Sequence, residues 1–254
     1  MKTPDFRLDG RVAVITGASR GLGKAMAFAM GAAGAKVAIN YARSQETAER
    51  TFDEYCAAGY KGMLVRANVI DEAEVDGMIT QVEATLGNVD IVVINATPDQ
   101  PLKPIEQYDW AFYQQMLDFF VKSPYLITRR VLPHMKHARH GRIINITSEV
   151  FRQGVCPFSA YVAAKGAQIG WSRSMARELA PWQITVNMVA PGWIPVERHA
   201  HDSAEMKEGY RKGIPMGHFG VPSDVGGAVT FLASEAASFI TGVEIPVNGG
   251  VTVW

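Results

Sequence analysis

Residues 12–27 read VAVITGASRGLGKAMA. The opening run is apolar and largely β-branched, without polar alternation, as a strand buried on both faces should be. From Gly23 onward the small and apolar residues read as a helix. Between them stand Gly17, Gly21 and Gly23, spaced G-x-x-x-G-x-G rather than the commoner dinucleotide spacing G-x-G-x-x-G. The physics is shared: glycines let the backbone approach a pyrophosphate, and a helix N-terminus offers unpaired N–H groups to its charge. Three glycines in a turn are by themselves ordinary turn chemistry. After a first strand, with Thr16 before them and Ser19 and Arg20 among them, they point to a phosphate.

The rhythm that starts here continues along the chain. KVAIN, MLVRAN and VDIVVIN read as strands, separated by the helical patterns ETAERTFDEYCAAG and EAEVDGMITQVEATLG. A long helix is expected from about Tyr108 to His137, with Pro124 bending or breaking it. Then GRIINIT is a strand, FSAYVAAKGAQIGWSRSMARELA a helix, QITVNMVAP a strand, VGGAVTFLAS a helix and VEIPVNGG a last strand. Strand–helix alternation of this kind specifies an α/β fold, a doubly wound seven-stranded parallel sheet of Rossmann type with helices on both faces. With no linker, repeat or low-complexity run, a single domain over residues 1–254 is expected. The polar stretch 193–220 holds Gly209, Gly213, Pro215 and Gly217 without a clean period, and its place after the sixth strand makes it a candidate lid.

Bulk properties limit the function. The 25 basic and 25 acidic residues cancel, which argues weakly against nucleic acid, whose partners normally carry a basic excess. Cys56 and Cys156 stand a hundred residues apart, outside any metal-type spacing, and fit a reducing compartment. No apolar run reaches the roughly 20 residues of a membrane span, and no signal segment opens the sequence. The expectation is a soluble cytoplasmic protein with neither nucleic-acid nor membrane partner.

Cofactor choice follows from the end of the second strand. An acid there accepts from the ribose 2′-OH of NAD, whereas NADP needs room and positive charge. The sequence gives Asn40 and Tyr41, then Arg43 and Ser44, with Arg20 near enough in the glycine loop to share the task. Any one arginine is more often a solvated surface charge. Two at these positions, with no competing acid, favour NADP(H).

Tyr161 and Lys165 are four residues apart, one turn on one helix face, and Ser148 stands thirteen residues before the tyrosine at a strand's C-terminal end. Tyrosine–lysine pairs at this spacing occur by chance on many helices, and only Ser148 and the glycine loop lift this one above that reading. Together with TGASRGLG, INAT, LPHM, NMVAPG and FLASEAASFITGVEIPVNGG, they make the sequence resemble the short-chain dehydrogenase/reductase superfamily over nearly its whole length. The likeness is greatest to the 3-oxoacyl-carrier-protein-reductase branch.

The resemblance implies hydride transfer between NADP(H) and a carbonyl or secondary alcohol. Tyr161 would act as acid and base, Lys165 would lower the phenol pKa and bond the nicotinamide ribose, and Ser148 would polarise the carbonyl. It implies cofactor contacts from Gly17, Ser19, Arg20, Gly21, Leu22 and Gly23 in the first loop. Tyr41, Arg43 and Ser44 would follow the second strand, and Asn68 and Val69 the third. Asn95 and Ala96 would join them from the fourth, Pro191, Gly192 and Ile194 from the sixth, alongside Tyr161 and Lys165 themselves. No metal is expected, and a homotetramer through the fourth and fifth helices is expected by resemblance alone.

Three positions depart from the family pattern. Phe120 stands where the family carries an asparagine, thirteen residues before Pro133; Pro124 is expected to supply the helix irregularity instead. Thr97 replaces a glycine in the INAT motif, and Val196 replaces a threonine after Pro191-Gly192. These departures motivate a rival reading, an NADP(H)-binding protein with little catalysis that acts through association with a partner. The spacing of His134, His137 and His140 is read as basic residues at a helix C-terminus that Gly141 closes, rather than as a metal site. The substrate pocket is expected between Ser148–Phe158, Pro98 and the lid, with Phe151, Phe158 and Trp193 as apolar wall and Arg198 with His199 and His201 as polar rim.

Overall fold

A computed structural model describes Thr3 and residues 5–253. Seven strands form one parallel sheet in the order β3-β2-β1-β4-β5-β6-β7. They are β1 (Val12–Ile15), β2 (Lys36–Tyr41), β3 (Gly62–Arg66), β4 (Ile91–Ile94), β5 (Gly141–Ile146), β6 (Ile184–Pro191) and β7 (Glu244–Val247). Among the described residues, nine α-helices accompany them: α1 (Gly21–Ala32), α2 (Gln45–Ala57), α3 (Glu72–Leu86), α4 (Trp110–Leu117), α5 (Ser123–Ala138), α6 (Val150–Gln153), α7 (Ser159–Leu179), α8 (Ala204–Lys212) and α9 (Pro222–Ala233). The chain order reverses at β1: Val12 pairs with Lys36 of β2 on one side and Ala13 with Ile91 of β4 on the other, so the switch point lies between β1 and β4. Such a switch point opens a crevice beyond the strand C-termini.

Side-chain alternation explains why apolar runs were needed. Val12 and Val14 enter a core with α3 and α5, through Val75, Ile79, Ile127 and Val131. Ala13 and Ile15 enter the opposite core with α1 and α9, through Met26, Met30, Val225 and Val229. Every residue of β1, β4, β5 and β6 is buried. Each fully buried branched side chain stabilises the fold by roughly 1.5–3 kcal/mol relative to exposure. Among the described residues, no helix is long and apolar enough to cross a membrane.

One expectation, the break beside Pro124, is met, and two need correction. The long helix is interrupted: between α4 and α5 the chain makes a π-helical turn over Asp118–Lys122, whose closing N–H, from Ser123, bonds the Asp118 carbonyl. Pro124 sits at the start of α5 and denies the Phe120 carbonyl its α-helical donor, so the irregularity survives without an asparagine. The helix stop is Arg139, not Gly141; Arg139 adopts the left-handed conformation (φ 50°), and Gly141 already belongs to β5. The segment 193–220 is not irregular throughout, because it contains α8, capped by the Ser203 hydroxyl accepting from the Met206 N–H.

Candidate active site

The crevice is built from strand ends. At the end of β1, Gly17 and Gly21 take left-handed backbone (φ 62° and 57°), open to glycine at little cost. A Cβ on Gly17 would lie 2.9 Å from the Ala96 Cα, and one on Gly23 would collide with the Gly17 carbonyl oxygen. The loop is therefore a tight backbone cradle. Asn95 ties it to β4: its side chain donates to the carbonyls of Thr16 (3.0 Å) and Gly17 (3.1 Å). The N–H groups of Asn95 and Ala96 both donate to the Thr16 hydroxyl. Arg20 caps α1 without a side-chain bond, and the first turn of α1 itself holds no acid, although the Glu197 carboxylate comes close to Gly21 from the 193–220 segment.

Asn40 plays a different part from the one its position suggested. It is buried, accepts from the Gly17 N–H (3.2 Å) and donates to the Ala67 carbonyl (3.1 Å), so it braces the glycine loop. Tyr41 is also buried. Arg20, Arg43 and Ser44 are exposed around the loop, and among the described residues neither guanidinium has a carboxylate partner. A cradle of this width beside two unpaired cations, with no acid at the end of β2, fits a dinucleotide carrying an extra phosphate. Asn68 accepts from the Ile70 N–H beyond β3, with Val69 buried next to it. Leu22 packs into the α1–α9 core and Ile194 is buried in it. Pro191 closes β6, and the Gly192 N–H bonds the Val247 carbonyl (3.0 Å).

Ser148 follows β5, and α7 brings Tyr161 beside it, near enough for the Ser148 side chain to favour the phenolate. Tyr161 is buried between the rings of Phe158, at 4.8 Å, and Phe120, edge-on at 5.3 Å. Burial pushes its pKa up to about 12, against the opposing influence of the Arg198 charge and the Ser148 side chain. The Arg198 charge, from the 193–220 segment, thus also acts on the phenol, although the sequence placed that residue only on the pocket rim. Lys165 lies one turn further along α7, almost wholly buried. Its ammonium donates to the Ile146 carbonyl (2.7 Å) and to Gln168 Oε1 (3.0 Å). It sits 3.7 Å from the centre of the Phe120 ring and 5.5 Å from that of Tyr161. Burial, with the Arg198 charge, holds its pKa well below the ordinary value, and the carboxylate of Glu244 acts the other way.

The expected aromatic wall is partly used up by internal packing. The Phe151 ring covers Gly166 on α7, where even a Cβ would strike it. The Trp193 ring packs on Tyr210 (5.3 Å), His199 (5.9 Å) and Phe219 (6.1 Å). Phe158 alone stands directly against Tyr161. Thr97 is exposed, its hydroxyl bonded to Gln100. Val196 lies over the glycine loop, 3.5 Å from the point a Gly21 Cβ would occupy. A cavity of about 460 Å³ along α1 is lined by Gly21, Lys24, Phe28, Val196 and Glu197.

Sequence reading missed the anchor of the 193–220 segment. Glu149, next to Ser148, is buried, and burial raises its pKa. It accepts from the Tyr210 hydroxyl and from Asn248 Nδ2 (3.0 Å), while the Tyr210 oxygen accepts from the Trp193 N–H (2.8 Å). An acid closing a buried strand was the available signal for Glu149; nothing in the sequence marked Tyr210. Of the three histidines, His140 is half-buried near Arg142 and Glu235, at the far end of β5 from Ser148.

A doubly wound sheet with a phosphate cradle at its switch point and a Ser–Tyr–Lys cluster beside it defines a dinucleotide-dependent oxidoreductase class. The comparisons with known proteins agree. The family model described as Enoyl-(Acyl carrier protein) reductase matches residues 17–252. Relatives include the 3-oxoacyl-[acyl-carrier-protein] reductase FabG of Staphylococcus aureus (strain Mu50), 40% identical over 241 residues, which cover 94% of this chain and 97% of that protein. The FabG of Escherichia coli (strain K12) is 38% identical over 248 residues, 97% and 99% of the two chains. A solved structure, a putative gluconate dehydrogenase from Agrobacterium tumefaciens, superposes with a TM-score of 0.93 at 30% identity, covering 99% and 100%. The chain belongs to the short-chain dehydrogenase/reductase superfamily, a family of oxidoreductases that use a nicotinamide cofactor.

Proposed function

We propose that this chain is an NADP(H)-dependent carbonyl reductase, or secondary-alcohol dehydrogenase in the reverse sense, with Tyr161, Ser148 and Lys165 as its catalytic residues. The observation that carries the reading is the convergence of Ser148 and Tyr161 at the end of β5, with Lys165 buried one turn away and its ammonium 5.5 Å from the Tyr161 ring. The glycine loop of Gly17, Ser19, Gly21, Leu22 and Gly23 would hold the pyrophosphate at the α1 N-terminus. Arg20, Arg43 and Ser44 would receive the 2′-phosphate, with Tyr41, Asn68 and Val69 on the adenine side. Asn95, Ala96, Pro191, Gly192 and Ile194 would flank the nicotinamide half.

When bound, the reduced cofactor supplies the hydride. Ser148 presents a donor to the carbonyl oxygen as negative charge gathers there. Tyr161, with its pKa near 12, keeps its proton at neutral pH and gives it to the more basic alkoxide. The Arg198 charge favours the phenolate left behind. This protonation state suits reduction better than oxidation, which needs the phenolate at the outset. The 193–220 segment, bonded through Tyr210 to the residue after Ser148, would act as the lid over the substrate.

The test is NADPH oxidation with a carbonyl panel that includes a 3-oxoacyl thioester, a cyclic ketone and a sugar acid. NADPH should be preferred to NADH, and Arg43→Glu should erase about tenfold or more of that preference. NADPH that raises the melting temperature while no carbonyl is reduced would instead favour the binding-only reading. The exposed Trp110 and Tyr125 on α4 and α5 fit a homo-oligomeric face, which the solution mass would show.

A further inference from the structure

We propose that Phe120 and Gln168 are positioning residues that, with the Ile146 carbonyl, form a three-sided cage around the Lys165 ammonium. An ammonium has three N–H donors. Two are taken by the Ile146 carbonyl and Gln168 Oε1, at 2.7 and 3.0 Å. The third side is closed by the face of the Phe120 ring, 3.7 Å away and well inside cation–π range. The same ring meets Tyr161 edge-on, so one side chain sets the position of both members of the pair.

Two features show that the cage is built for a cation. Gln168 is completely buried, yet its Nε2 has no partner among the described residues. A buried amide with an unpaired donor is unfavourable against an apolar side chain of similar size, and what offsets it here is acceptance from Lys165. Phe120 lies in the π-helical turn, which Pro124 accommodates in place of a regular α-helical turn. The fully buried ring thereby stands against α7 at Lys165.

Two charges act on the ammonium, Arg198 from the 193–220 segment and Glu244 from the start of β7, and the titratable phenol of Tyr161 faces it from its own helix. In the π-helical turn, Asp118 is engaged by Gln114 and Lys122 is exposed, while β5 offers only a carbonyl. The cage therefore governs whether Lys165 stays charged, and through it the pH range of Tyr161 chemistry. This consequence rests on the proposed function; the cage itself does not.

The experiment separates the two. In the protein without added cofactor, lysine side-chain NMR follows the titration of Lys165, assigned by Lys165→Met. Phe120→Leu and Gln168→Met should each lower its titration midpoint by about one pH unit, and Gln168→Glu should raise it. A ring-fluorinated phenylalanine at position 120 keeps the shape and weakens the π-face, and should lower the midpoint in part. With NADPH and a reduced carbonyl, the alkaline limb of the kcat/KM profile should move by the same amount and in the same direction. Midpoints unchanged in the folded fluorinated and Gln168→Met proteins would overturn the cage. Shifted midpoints with no carbonyl turnover in any protein would leave the cage standing and refute the proposed function.

Discussion

Removing one oxygen from Tyr210 tests how the 193–220 segment, the proposed lid, is fastened. The hydroxyl donates to the buried Glu149 carboxylate and accepts from the Trp193 N–H. Tyr210→Phe keeps the ring and its packing on Trp193 and Phe219, so the loss is confined to those two bonds. A bond to a charged group is worth about 1.5–3 kcal/mol and a neutral one about 1 kcal/mol, part of which water returns when the segment opens. If about 2 kcal/mol falls on the closing equilibrium, the closed population drops roughly 30-fold. Hydrogen exchange at Trp193 and along α8 should accelerate by that order, and KM should rise while kcat changes little. Exchange and KM both at wild-type values would show that the bond does not hold the segment, and the reasoning would fail.

Two further outcomes test the scaffold. Burial, with help from Arg142 and Arg11, holds His140 down to about 4, whereas the unfolded chain titrates near 6.5. Between those values the unfolded state binds more protons, so stability falls as pH drops through the window, by on the order of 3 kcal/mol in full. Urea midpoints against pH should flatten in His140→Gln relative to wild type; parallel curves would count against it. Gly23→Ala should destabilise by about 1–3 kcal/mol and abolish the NADPH thermal shift, since its Cβ meets the Gly17 carbonyl, Ala18 Cα and Asn95 Nδ2. Gly170→Ala, with open space at its Cβ in α7, should instead be neutral or stabilising by up to about 1 kcal/mol.

The legible parts of the sequence were those where local and tertiary demands coincide. VAVI, IVVI and ITVNMVAP are apolar because both faces of a parallel sheet are covered, so the strands and their layering followed from pattern alone. Pro124 announced a break in the long helix because a missing N–H acts locally. Contacts between distant segments were not legible. Phe120 reaches Lys165 from the π-helical turn, 45 positions earlier in the chain, and Tyr210 reaches Glu149 across 61 positions. Gly141 was misread as a helix stop because glycine favours left-handed backbone, but Arg139 takes that conformation, its guanidinium donating to the Pro181 carbonyl at 2.9 Å. Phe151 was assigned to a pocket wall by composition, while a glycine on α7 gave its ring a place to pack.

The phenol of Tyr161 is the group on which the account turns, and single-turnover consumption of bound NADPH by Tyr161→Phe measures its role directly. NADPH affinity should stay within a few-fold of wild type while the chemical step slows by about 10²–10⁴-fold, the span of a lost general acid. A Tyr161→Phe protein that binds NADPH and reduces the same carbonyl at the wild-type rate would contradict the account.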